Sequence, residues 1–275
     1  MLRDASLRES SVSSTLVLLM TLGHAAMLFG VAILGGAINS VAGGGSFLCF
    51  PALLFTGVPP VNANATNTLA LWPGTLASVG AYRREFSKAD ARQIYSLVIT
   101  GIAGALIGAI LLLKTPQLTF LHMVPWLLAS ATVIFAFSSR ISRWVREREA
   151  RGGAHMMTGA ALVQLGIAVY IGFFGAGAGI LMLALFAFMG MESIHTMNAF
   201  KTMLASICNG VALIAFIVAK AIFWPQALVM LVGAAFGGYF GAHFAQKVAP
   251  AKVRLIVIFI GAGLSIYFFV KQYAL

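Results

Sequence analysis

A chain of 275 residues in which 60% are hydrophobic and only 9% are charged excludes an ordinary soluble domain, where about 25% are charged. The formal charge of +11 sits in short stretches between apolar runs, not on a basic domain, which excludes a nucleic-acid-binding module and fits the cytoplasmic loops of a membrane protein. The 29 glycines would weaken helices in water but let helix backbones approach closely in a bilayer.

Residues 1–14 form a polar tail of mixed charge. The apolar run from Leu16 to Val41 follows Arg3 and Arg8, yet it far exceeds the ~7–15 residues of a signal-peptide core and reads as a retained helix. Ten apolar segments can be marked: 15–41, 46–56, 61–82, 92–113, 118–138, 157–175, 180–190, 194–219, 225–246 and 253–272. The pattern predicts an all-α integral membrane protein, a polytopic bundle of eight to ten segments. Eight of them reach or nearly reach the ~20 residues a span requires. Segments 46–56 and 180–190 would extend only ~16 Å as helices, about half a bilayer core. Each follows a glycine cluster, Gly43-Gly44-Gly45 in one case and Gly175, Gly177 and Gly179 in the other.

The order long, glycine break, short, long, long, long therefore occurs twice, which divides the chain into the tail 1–14, a first repeat 15–138, a basic cytoplasmic linker 139–156 and a second repeat 157–275. Asn64 corresponds to Asn198, Asn67 to Lys201 and Thr68 to Thr202 at one constant spacing, and Gly57 and Gly190 close the short segments. Lys and Arg concentrate in loop 83–92 (Arg83, Arg84, Lys88, Arg92), in the linker (Arg140, Arg143, Arg146, Arg148, Arg151) and in loop 247–254 (Lys247, Lys252, Arg254), whereas loops 114–117 and 220–224 hold only Lys114 and Lys220. Placing the rich loops in the cytoplasm gives the two halves opposite orientations, an inverted-topology repeat of the kind transporters use. A parallel arrangement is the rival, and it would put loop 247–254 outside, against the charge bias.

Backbone that leaves helical geometry at membrane depth must line a cavity or be buried in protein. The half-length helices begin at such breaks, near Ser46 and Ile180, and their N-termini offer N–H groups and the positive dipole end to an anion. Close helix packing is the competing use of the glycines. In segment 61–82, Asn64, Asn67, Thr68, Thr75 and Ser78 share one helical face; in 194–219, His195, Asn198, Thr202, Ser206 and Asn209 do the same, with Lys201 at the border. Such stripes line either a watery path or an interhelical hydrogen-bond seam. Lys201 is the sharpest signal, the one Lys or Arg well inside an apolar segment. Its readings are counter-charge for an anionic substrate, a partner for Glu192, or a snorkelling side chain. The expected substrate-binding set is thus Gly43, Gly44, Gly45, Ser46, Asn64, Asn67, Thr68, Gly175, Gly177, Gly179, Asn198, Lys201 and Thr202.

Other chemistry finds no support. Cys49 and Cys208 lie in apolar runs without a CxxC pair and read as small core residues. His195 could titrate at the start of its stripe; His24, His122 and His243 read as packing residues. There is no GxxxxGK[ST] loop, metal-ligand cluster or catalytic constellation, so no metal, cofactor or enzymatic activity is expected. Asn64-Ala65-Thr66 matches a glycosylation sequon but lies at membrane depth.

The stretch Ala42-Gly43-Gly44-Gly45-Ser46, with Pro51-Ala52-Leu53, Gly57, Pro59 and Ala65-Thr66-Asn67-Thr68, resembles the TauE/SafE family of sulfite and organosulfur-anion permeases. The layout matches over nearly the whole chain, the sharp motif only over about 43–68. The second copy departs from it, with Gly-Ala-Gly-Ala-Gly at 175–179 and no proline equivalent to Pro51. The resemblance implies a multi-pass inner-membrane permease for a small oxyanion, sulfite or a short organosulfonate, with an anion channel for the same substrates as the alternative.

Overall fold

The computed structural model describes residues 21–81, 91–147, 154–191, 193–245 and 250–273. Among them are ten α-helices and no strands: α1 (Leu22–Ala42), α2 (Ser46–Phe55), α3 (Pro60–Ala81), α4 (Ala91–Lys114), α5 (Gln117–Glu147), α6 (Ala154–Phe173), α7 (Ala178–Phe188), α8 (Ile194–Val218), α9 (Trp224–Ala245) and α10 (Pro250–Tyr273). Each of the ten apolar segments is one of these helices.

The main difference lies at the connection between halves. Helix α5 runs on to Glu147 and α6 starts at Ala154, so much of the expected 139–156 linker is helical. Arg and Glu are good helix formers, and Ser138-Ser139 does not stop a helix already under way. At 31 residues α5 is ~46 Å long, well beyond a ~30 Å hydrocarbon core. Among the described residues, five helices carry windows long and apolar enough to cross a membrane, Leu22–Asn39, Ile94–Lys114, Gln117–Phe137, Thr196–Val218 and Leu255–Tyr273. Helix α3 falls short because Asn62, Asn64, Thr66, Asn67 and Thr68 lower its hydropathy. The same helix is buried along most of its first three turns, so these groups face protein rather than lipid. Among the residues whose side chains are described, α6 and α9 are apolar over Gly159–Phe173 and Trp224–Phe240.

The helices pack as two four-helix units and a crossing pair. One unit joins α1, α2 and α3 to α9; the other joins α6, α7 and α8 to α4. Each borrows its fourth helix from the other half of the sequence. Helix α5 packs on α10, and α3 packs on α8 between the units.

The borrowed helices dock through glycine. A methyl group on Gly104 of α4 would stand 2.5 Å from the Leu165 carbonyl oxygen of α6, and one on Gly233 of α9 would stand 2.6 Å from the Phe29 carbonyl oxygen of α1. One turn on, Gly108 meets the Val169 carbonyl and Gly237 the Ile33 carbonyl more closely still; in return Gly172 meets Ala105, and Gly36 meets Ala234. Backbones in such contact leave no room for a Cβ, the packing small residues give membrane helices. The two crossings thus use residues at matching places in the two halves.

The short helices also end alike. Thr56, Gly57 and Val58 donate their N–H groups to Ala52, Leu54 and Leu53; Met189, Gly190 and Met191 donate to Leu185, Ala187 and Phe186. Gly57 and Gly190 take φ of 84° and 81°, the left-handed turn that closes a helix at little strain only for glycine.

Candidate functional site

Both expected breaks are present. Gly43 ends α1 at φ 73°, its N–H donating to the Asn39 carbonyl at 3.0 Å. Gly45 then stands at the N-cap of α2 and Gly177, at φ 77°, at the N-cap of α7; neither helix has a side-chain cap. Gly175, at φ 78°, donates to the Tyr170 carbonyl at 2.9 Å, and the Tyr170 hydroxyl reaches across the second break to donate to Ala176 O at 2.7 Å. Packing matters as well: a side chain on Gly45 would meet the Gly35 carbonyl oxygen at 2.5 Å, so this glycine is needed for helix contact whatever else it does.

Helices α3 and α8 set one polar side chain beside the start of each short helix. Asn67 Nδ2 donates to Ser46 Oγ at 3.0 Å, at the first residue of α2, while Asn67 Oδ1 is buried and has no partner among the described residues. In the other half Lys201 Nζ donates to Asn198 Oδ1 at 2.9 Å, and the Lys201 stem lies across Gly179 in the first turn of α7, its Cδ 3.2 Å from where a Cβ would be. The longer lysine faces a glycine where the shorter asparagine faces a serine. Lys201 is half-buried.

The remaining stripe residues divide. Asn64 is buried and its Nδ2 donates to the Phe173 carbonyl at the end of α6, which ties α3 to the opposite half. Thr68, Thr75 and Ser78 donate to carbonyls one turn back, of Asn64, Leu71 and Gly74, and so spend their hydroxyl hydrogens within α3. Asn209 likewise bonds Ala205. Thr202 and Ser206 are buried, and the Ser206 carbonyl accepts from Trp72 Nε1 at 2.9 Å across the α3–α8 contact. Asn64 and the Trp72–Ser206 bond thus lie in interhelical contacts, whereas Thr68, Thr75, Ser78 and Asn209 bond within their own helices. Glu192 and the side chain of His195 lie outside the described residues.

Phe135 of α5, absent from the sequence reading, lies between the breaks. Side chains built on Gly44 and Gly177 would meet its ring at 3.3 and 3.4 Å, so one buried ring touches both. A phenylalanine in an apolar helix carries no signal in sequence; only the fold reveals its place. Trp72 and Tyr170 were missed for the same reason.

Two uncapped half-helices thus begin close to a single ring, one start accompanied by an amide and the other by an amine. A protein-family model described as "Sulfite exporter TauE/SafE" matches residues 28–268. The chain belongs to the TauE/SafE family. Among relatives of this TauE/SafE protein is a "Probable membrane transporter protein" of Haemophilus influenzae, 28% identical over 234 residues, which are 85% of this chain and 89% of the relative. Another is "Probable membrane transporter protein YfcA" of Escherichia coli K12, 27% identical over 87% of each chain. "Probable membrane transporter protein ORF9" of Sinorhizobium sp is 25% identical over 88% of this chain and 90% of its own. No solved structure matches. The TauE/SafE protein is a multi-pass membrane transporter.

Proposed function

We propose that this protein is a secondary permease of the inner membrane that carries a small oxyanion, sulfite or a short organosulfonate, through a site between two inverted halves. The observation that carries the reading is Lys201, an amine inside a membrane-spanning helix whose stem lies over the first turn of an uncapped half-helix. An intramembrane cation costs a few kcal/mol on insertion scales, and an anion beside it offsets that cost. The N-termini of α2 and α7 add positive dipole ends, and Ser46 and Asn67 add uncharged polar groups suited to sulfonate oxygens.

Four further observations support two related halves: the swapped fourth helices, the matching glycine crossings, the matching ends of the short helices, and the paired positions of Asn67 and Lys201. In this arrangement Gly43, Gly44, Gly45 and Ser46 face the site from one half and Gly175, Gly177 and Gly179 from the other. Asn198 orients the Lys201 amine. Asn64 holds α3 against α6, Thr68 bonds within its own helix, and Thr202 follows Lys201 in α8 as a buried residue. Outward movement of an anion is favoured by the membrane potential at ~2.3 kcal/mol per charge per 100 mV, so export needs no proton relay.

The test is counterflow of labelled sulfite in proteoliposomes, with sulfoacetate, thiosulfate and sulfate as competitors. Saturable counterflow that Lys201→Met abolishes supports the carrier. Flux without counterflow overturns it in favour of an anion channel, and absence of flux for every anion removes the substrate class.

A further inference from the structure

Gln164 is fully buried in the middle of α6, and neither its Oε1 nor its Nε2 has a partner among the described residues. An amide taken out of water without hydrogen bonds costs several kcal/mol in a medium that offers none. Beside it α4 carries Gly101, and a Cβ built on this glycine would have Cys208 Sγ of α8 at 3.3 Å, Gln164 Nε2 at 3.6 Å and Leu204 Cδ2 at 4.0 Å. The Cys208 thiol donates to the Gly101 carbonyl at 3.5 Å. Three helices therefore bring an amide, a thiol and a carbonyl to one small space.

At the corresponding positions the other four-helix unit is apolar. At the spacing that relates Leu165 to Phe29, Gln164 corresponds to Leu28; at the spacing that relates Gly104 to Gly233, Gly101 corresponds to Met230. Leu28 and Met230 are apolar and fully buried. The polar group belongs to one four-helix unit alone, so it is no requirement of the shared architecture.

We propose that Gln164, Gly101 and Cys208 form an internal site for water. The chemistry selects the guest: Nε2 needs an acceptor and Oε1 needs a donor, and the side chains nearest the Gly101 Cβ position, those of Cys208, Gln164 and Leu204, carry no charge. An anion meets only the first need and a cation only the second; a water molecule meets both. The site sits on the helix that carries Lys201. Cys208 is seven residues further on, two turns or ~10 Å along the same face of α8. The proposal stands apart from the transport reading, because it needs only the packing of α4, α6 and α8.

The two buried thiols supply a test and its control. Cys49 of α2 is as buried as Cys208 but lies against Gly35, outside this space. Brief X-ray radiolysis of the purified protein in nanodiscs generates hydroxyl radicals from bound water, and peptide mass spectrometry reads oxidation at each cysteine. Cys208 is expected to oxidise at least about tenfold faster than Cys49, and Gln164→Leu to bring it down to the Cys49 rate. Equal slow rates at both thiols in the unaltered protein overturn the proposal, and so does rapid Cys208 oxidation that survives Gln164→Leu. If the leucine variant does not fold, the comparison of thiols within the unaltered protein still decides.

Discussion

Substituting alanine for Gly104 or Gly233 tests the two glycine crossings against each other. The added methyl groups would sit 2.5 Å from Leu165 O and 2.6 Å from Phe29 O, about 0.9 and 0.8 Å short of the 3.4 Å at which ordinary contact begins. Both opposing atoms are main-chain oxygens, which cannot swing aside, so the helices must part. Overpacking of this size costs ~1–3 kcal/mol. Alanine also gains about 1 kcal/mol of helix propensity, so the comparison must be with a glycine that lacks the contact. Gly166 of α6 is such a control, exposed and with nothing within 4 Å of its added Cβ. At about 2–4 °C per kcal/mol, Gly104→Ala and Gly233→Ala should each melt roughly 2 to 12 °C below Gly166→Ala in one detergent. The nearly equal overlaps predict nearly equal losses. Melting at the temperature of the control would refute the packing argument, and a large inequality between the two would refute the equivalence of the crossings.

Lys201→Met should weaken competition by sulfite by up to about three orders of magnitude, the equivalent of ~4 kcal/mol for unit charges 4 Å apart at an effective dielectric of 20, with little change in melting temperature. Gly179→Val should displace the Lys201 stem, whose Cδ lies 3.2 Å from the glycine Cβ position, and reduce counterflow while circular dichroism stays unchanged. Asn64→Leu should destabilise by about 1–3 kcal/mol, because it leaves the Phe173 carbonyl at the end of α6 without its donor, and competitor ranking should not change. Trp72→Phe removes the bond to Ser206 and should lower stability by ~1 kcal/mol in chemical unfolding.

All ten helices were legible because hydrophobic run length and glycine clusters report directly on lipid exposure and on breaks. The half-length of α2 and α7, and their starts beside the glycines, follow from the same signal. Helix ends beyond the bilayer were not legible: the polarity of residues 139–147 marks solvent, which an α-helix tolerates as well as a loop does. For the site, one-dimensional spacing put Asn67 and Lys201 on the faces they occupy, but it did not separate Thr68, which bonds its own helix, from Asn67, which reaches another. That distinction depends on rotamers and neighbours. Phe135 depends wholly on tertiary packing. Gln164 shares the apolar run 157–175 with another polar residue, Thr158, and only its unmet hydrogen bonds set it apart.

The exchange of α4 and α9 between the four-helix units has a consequence for the chain as an inherited object. Severed between Glu147 and Ala154, it would yield two fragments, each exposing a backbone groove along α1 or α6 and each holding the helix that fits the other's groove. Neither fragment could close a unit alone, whereas the two expressed together could assemble without a covalent join. On the proposed kinship of the halves, a gene encoding a single half would likewise have made an obligate, interlocked dimer, so fusing two copies would have fixed their stoichiometry without requiring any new contact.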